Sequence, residues 1–191
     1  MTKAEMTDWI SGRLSPKLYR HSIATQQLTA ELAEMYGADR EKANIAGLLH
    51  DCAKALSNAE LLSHAELYRL PVDEIQLMQP GLLHAPVAAK LVQAELGITD
   101  EEILHAISVH NTGCPGMSGL DRALYLADCS EPDREYPGVE TIRELIIGGD
   151  LNGALLVAMD RKISYVIQKR QMLHPLSVDA RNDLLKEIMD R

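Results

Sequence analysis

Apolar residues recur along this chain at three- and four-residue spacing, with no sustained two-residue alternation between hairpin turns, so the pattern predicts helices and no sheet. Helix starts are marked. Thr2 with Glu5, Ser57 with Glu60, and Thr99 with Glu102 have capping-box spacing. Ser15-Pro16 reads as an N-cap and a first-turn proline, opening a helix expected to run to Tyr36 and stop at Gly37. Asp39 caps the next segment, which carries the apolar run IAGLLHDCAKAL. Further helices are expected near 58–68, 73–79, 86–96, 100–110, 118–129, 139–147, 151–169 and 178–190. The breaks LLHAPV, HNTGCPGMSG, CSEPDREYPG and KRQMLHPLS hold Gly, Pro and polar residues between helices, where sites tend to sit.

The length, 191 residues, suits one domain with a real core. With no Phe and one Trp, that core must come from Leu, Ile, Val, Ala and Met. A formal net charge of -9 argues against a nucleic-acid coat, but leaves room for an anionic small molecule where cations or a metal gather. Cys52, Cys114 and Cys129 have no C-x-x-C spacing, against a disulfide framework or zinc ribbon. The start MTKAEMTDWISGRL has no signal-peptide pattern, and no stretch reaches the about 18 apolar residues of a membrane span. The cytoplasm is therefore the expected compartment, with no membrane or nucleic-acid partner; a homodimer stays open.

Chemistry concentrates in a few residues. Asp51 follows the apolar run Ala46-Gly47-Leu48-Leu49 and His50, on what reads as one buried helix, where a carboxylate needs a cation, a metal or several hydrogen bonds. An exposed helix end, or a pairing with Lys54, is the plainer alternative. Asp128 repeats the situation after Ala123-Leu124-Tyr125-Leu126-Ala127. Two stranded acids suggest a shared divalent cation, and His21 with His50 would complete a two-nitrogen, two-carboxylate set suited to Fe, Mn, Zn, Co or Ni rather than Ca. His84 stands before Pro86 at a helix N-terminus, where anions are favoured, and His110 stands where a helix meets a Gly-rich loop. Each could instead be a helix-end histidine with a backbone partner. His64 and His105 read as surface or structural residues.

The order His21, His50-Asp51, Asp128 resembles the HD superfamily of metal-dependent phosphohydrolases. The segments GLLHDCAK, LLHAPVAA, HNTG, YLADCSEPDREYPGV and RQMLHPLSVDARN resemble the YqeK family within it, in order, from Arg20 to Asn182. The resemblance implies an all-α helical bundle, a single HD domain over 1–191, with a core about 16–130 and C-terminal helices about 137–191 completing a nucleotide site. It implies symmetrical hydrolysis of dinucleoside tetraphosphates, diadenosine tetraphosphate giving two ADP, by attack of metal-bound water on phosphorus. It assigns the metal, iron first, to His21, His50, Asp51 and Asp128. It sets His84 and His110 at the site as ligands of a second ion or as phosphate binders, so one or two ions are expected. The nucleotide is expected against Lys54, Thr112, Arg134 and the connector Arg170-Gln171-Met172-Leu173-His174-Pro175. Asp51 or Asp128 would orient or deprotonate the water, with His84 and His110 carrying charge or a proton. Asn111 departs from the family's usual His-Thr-Thr-Gly. The rivals are another HD nucleotidase or phosphodiesterase, a non-catalytic nucleotide sensor, and an HD-like oxygenase.

Overall fold

Ser15 accepts the Leu18 amide and sets Pro16 as the first residue of a long helix, and this logic of cap and stop repeats along the chain. The computed structural model describes residues 2–190. Its elements are α1 (Lys3–Ser11), α2 (Pro16–Met35), α3 (Arg40–Leu49), α4 (Asn58–Leu67), α5 (Glu74–Met78), a 3-10 turn (Pro80–Leu83), α6 (His84–Leu96), α7 (Glu101–Val109), α8 (Gly119–Ser130), α9 (Val139–Ile147), α10 (Leu151–Gln168) and α11 (Pro175–Met189). No strand occurs among the described residues, and none of their helices is long and apolar enough to cross a membrane.

Capping boxes form at Thr2 with Glu5 and at Ser57 with Glu60. At α7 the cap moves by one residue: Asp100, not Thr99, accepts the Glu102 and Ile103 amides. An ionised carboxylate is the stronger acceptor and is favoured by the positive end of the helix dipole. α11 opens at Pro175, earlier than expected, because the His174 side chain caps it.

The larger correction concerns α3. It ends at Leu49, and tight turns follow, closed by the amides of Cys52, Lys54 and Leu56 on the carbonyls of Leu49, Asp51 and Ala53. His50 Nδ1 lies 2.8 Å from the Gly47 carbonyl, which one more helical turn would have used. His50 and Asp51 therefore do not share a continuous helix. The turn frees them from the spacing of about 100° that a helix imposes on neighbours.

One buried apolar cluster extends from Ile10 of α1 to Leu184 of α11. α3 packs between α2, α7 and α8, α6 pairs with α7, and α10 lies against α8, α9 and α11. Gly47 permits the tight α2–α3 crossing, since a Cβ there would stand 2.7 Å from Gln26 Cα and 2.9 Å from Thr29 Oγ1. That crossing sets His21 beside His50. α8 is buried along Ala123–Ala127, and Asp128 continues the buried run at 8 % exposure.

Candidate metal centre

Six side chains from five places in the fold converge. His21 comes from α2, His50 and Asp51 from the turn after α3, His84 from the first residue of α6, His110 from the residue after α7, and Asp128 from α8. All six are buried. The Nε2 atoms of His21 and His50 lie 3.3 Å apart, and those of His84 and His110 3.2 Å apart. Asp51 separates the two pairs. Its Oδ1 is 3.3 Å from His84 Nε2 and 3.4 Å from His110 Nε2, and its Oδ2 is 3.6 Å from His50 Nε2 and 3.8 Å from His21 Nε2. Asp128 Oδ1 closes the far side, 3.1 Å from His21 Nε2 and 3.8 Å from His50 Nε2.

The backbone fixes the imidazoles. The Nδ1 atoms of His50, His84 and His110 each meet the carbonyl of the residue three before, Gly47, Gly81 and Ile107, at 2.8, 2.5 and 2.8 Å. A carbonyl only accepts, so each Nδ1 carries the proton and each Nε2 presents a lone pair inward. These are helix-end histidines with backbone partners and site histidines at once. His84 Nε2 has a donor in the Lys54 ammonium at 2.9 Å. His110 directs its lone pair toward His84 Nε2 and Asp51 Oδ1, both acceptors, and buried Asp51 Oδ1 has no hydrogen-bond donor. Acceptors facing acceptors in a buried pocket call for a cation.

Charge agrees with that need. Burial pushes His50 down to about 3, so it is neutral, as a ligand must be. Burial and the Lys54 ammonium likewise lower His84. Burial opposes ionisation of Asp51, yet its carboxyl is held well below the usual range, with the Lys54 ammonium 3.5 Å from Oδ1 favouring the charged form. For Asp128, burial is outweighed by the His21 contact and by Lys162 and Arg134. His21 moves the other way: burial lowers it, but its bond to Asp128 and that carboxylate's charge, with help from Glu131, raise it. The contact that raises His21, Nε2 at 3.1 Å from Asp128 Oδ1, joins two groups that a cation could bind together.

Cations stand at both ends of this row. Lys54 Nζ lies 3.5 Å from Asp51 Oδ1, so the plain Asp51–Lys54 pairing also forms. Arg134 donates to Asp128 Oδ1 at 2.6 Å through Nη2 and to the Asp128 carbonyl at 2.7 Å through Nε. Arg143 holds the Arg134 loop, donating to the carbonyls of Ser130, Glu131, Pro132 and Arg134.

The remaining expected residues lie around this centre. Thr112 is buried and donates to the Gly113 carbonyl at 3.0 Å. Asn111 donates to the Leu82 carbonyl at 2.8 Å, tying the His110 loop to the turn before His84. Among the described residues no hydrogen bond or ion pair joins the connector to the six groups. It docks on the segment leading to His84: the Gln79 carboxamide bonds Met172 O at 2.8 Å and Met172 N at 3.1 Å, and His174 Nε2 meets Asp73 Oδ2 at 2.7 Å. Arg170 and Gln171 are exposed, Leu173 is half-buried, and Pro175 opens α11. His64 bonds the Glu60 carbonyl and His105 pairs with Asp121, both away from the centre.

Two residues that sequence reasoning missed belong to the centre's surroundings. Glu131, buried, sets Oε1 3.0 Å from His21 Nδ1. Lys162 of α10 brings Nζ to 3.9 Å from Asp128 Oδ2. Glu131 had one available signal, an acid beside Pro132 three residues after Asp128; Lys162 had none, lying in an ordinary amphipathic helix.

An all-helical fold with paired histidines around a His-Asp turn defines a class, and the chain belongs to the HD domain family, which matches residues 18–147. The symmetrical bis(5'-nucleosyl)-tetraphosphatase of Halalkalibacterium halodurans is 36% identical over 187 residues, 98% of this chain and 99% of that protein. The Bacillus subtilis protein of the same name is 37% identical over 175 residues, covering 92% of this chain and 93% of its own. The crystal structure of an HD superfamily hydrolase from Clostridium acetobutylicum, described as involved in NAD metabolism, superposes with a TM-score of 0.93 at 37% identity and 98% coverage of both chains. The family implies a divalent metal. Two groups, His21-His50-Asp51 and Asp51-His84-His110, each bring one ligand atom per residue within 4.8 Å of one another and could hold one.

Proposed function

We propose that this protein hydrolyses dinucleoside tetraphosphates symmetrically, converting diadenosine tetraphosphate to two ADP. One observation carries the reading: an ionised, buried Asp51 lies between two pairs of imidazoles, with cationic side chains beyond each end. The near-full-length relatives named for that reaction support it.

His21, His50, Asp51 and Asp128 would hold the primary ion, Asp51 facing that histidine pair with Oδ2; the absence of a hydrogen-bond donor at Oδ1 fits a cation on the His84–His110 side. Iron is our assignment, with Mn, Co, Ni and Zn suited to the same donors. When bound, such a metal supplies Lewis acidity toward a phosphoryl oxygen and an acidified water. His84 and His110, sharing Asp51 Oδ1, form a second seat for an ion or for phosphate oxygens. Asp51 or Asp128, both ionised, would orient the attacking water or take its one proton. Water oxygen bonds to an inner phosphorus, the bridging P–O bond opposite breaks, and ADP departs as an anion. Lys54 and Arg134 meet the phosphate charge, Arg134 as a planar fork held by Arg143. The connector 170–175 and Thr112 border the nucleoside, so the C-terminal helices complete the site. Cys52, Cys114 and Cys129 are free thiols, in keeping with a cytoplasmic enzyme.

A substrate panel tests this. Iron- or manganese-loaded protein is offered diadenosine tetraphosphate, nucleoside monophosphates and cyclic nucleotides. ADP as the main product, with the tetraphosphate preferred, supports the reading. ATP plus AMP, or a preference for monophosphates or cyclic nucleotides, contradicts it.

A further inference from the structure

We propose that Lys162 is a phosphate-binding residue that seats the half of the tetraphosphate lying beyond Asp128. The inference deepens the reading above and rests on a polyphosphate lying along the histidine–aspartate row.

The groups form a sequence in space: Lys54, then His84 with His110, then Asp51, then His21 with His50, then Asp128, then Arg134 and Lys162. Arg134 is pinned on Asp128 through Nε and Nη2. Lys162 is not. Its Nζ stands 3.9 Å from Asp128 Oδ2, too far for a charge-assisted hydrogen bond. It rests 4.7 Å from the centroid of the buried Tyr125 ring, a cation–π seat that holds the ammonium in place while leaving its N–H groups free. Among the described residues no hydrogen-bond acceptor for Lys162 is found. Its neighbour Arg161 anchors this stretch of α10, donating to the Pro137 carbonyl at 2.7 Å and filling the space where Gly138 lacks a side chain.

An ammonium held beside the centre with unused donors is poised for an anion that the protein does not itself supply. The chemistry of symmetrical cleavage calls for one. A substrate cut between its two inner phosphates has a diphosphate on each side of the scissile bond. Lys54 serves one side, next to the segment that carries the connector. Beyond Asp128, Lys162 takes phosphate oxygens on the other side, next to Arg134. A shorter anion seated at the Lys54 end never reaches Lys162, so this residue favours tetraphosphate over shorter chains.

The test is calorimetric titration of manganese-loaded protein with inorganic pyrophosphate and with inorganic tetraphosphate, alongside elemental analysis. The wild type should prefer tetraphosphate. Lys162→Gln should lower tetraphosphate affinity by about tenfold, leave pyrophosphate affinity and metal content unchanged, and be largely rescued by Lys162→Arg. Equal weakening of both anions, unchanged tetraphosphate affinity, no length preference in the wild type, or loss of metal from Lys162→Gln would each overturn the proposal; the last would make Lys162 a positioning partner of Asp128. Turnover of diadenosine tetraphosphate by the wild type is read separately. If that fails while the length preference depends on Lys162, the proposed activity falls and the assignment of Lys162 stands.

Discussion

Glu131 Oε1 lies 3.0 Å from His21 Nδ1, on the opposite edge of the ring from Asp128, and both carboxylates are buried. A carboxylate behind a ligand imidazole fixes its tautomer and raises its basicity. Glu131→Ala should therefore weaken metal affinity by about 10- to 100-fold, measured by chelator competition. Glu131→Gln keeps an acceptor for the ring N–H and should lose less. Unchanged affinity in both variants would reduce Glu131 to a packing residue.

Metal uptake should release protons in a pH-dependent way. In the metal-free fold His21 is raised above its ordinary value, chiefly by Asp128 against the opposing effect of burial. The proton on His21 therefore stabilises the metal-free fold fully below about pH 6.5, the unfolded value, and that contribution is lost as pH rises through the folded value. Metal must expel this proton, so apparent affinity climbs with pH and levels off once His21 is neutral. His50, pushed down to about 3, contributes no proton in that window. Calorimetry in buffers of different ionisation enthalpy should count about one proton released near pH 6 and almost none near pH 9.

Gly47 carries the α2–α3 crossing. A methyl group there would meet Gln26 Cα at 2.7 Å, backbone that cannot swing aside. Gly47→Ala should cost about 1–3 kcal/mol in stability and also weaken metal affinity, because α2 carries His21 and α3 leads into His50. Thermal unfolding with and without metal separates the two effects.

Asn111 ties two histidine-bearing segments through its bond to the Leu82 carbonyl. Asn111→Ala removes that donor at a cost of about 1 kcal/mol and loosens His110 relative to His84. Severalfold lower kcat/KM with undiminished primary metal content is the expected result, read by steady-state kinetics and elemental analysis.

The helical fold was legible because capping residues and apolar spacing act locally: Ser15-Pro16 and Ser57 with Glu60 begin helices where their sequence says they should. His50-Asp51 and Asp128 were conspicuous because a carboxylate after an apolar run must be compensated. What compensates it was less visible. Glu131 reaches a histidine 110 positions earlier, and Lys162 reaches Asp128 from another helix, so no spacing within either segment encodes the pairing. The end of α3 was misplaced for a local reason: the His50 side chain takes a backbone acceptor, a competition that hydrophobic periodicity does not register. The role of Asn111 depended on which carbonyl faced it across the fold.

The central claim is that Asp51, shared between two histidine pairs, holds the metal used for hydrolysis. Asp51→Asn preserves shape and removes the charge, so elemental analysis of the purified variant, paired with its turnover of diadenosine tetraphosphate to ADP, is the most direct measurement. The account predicts loss of bound metal together with loss of ADP formation. A variant that keeps its metal and forms ADP at the wild-type rate would contradict it.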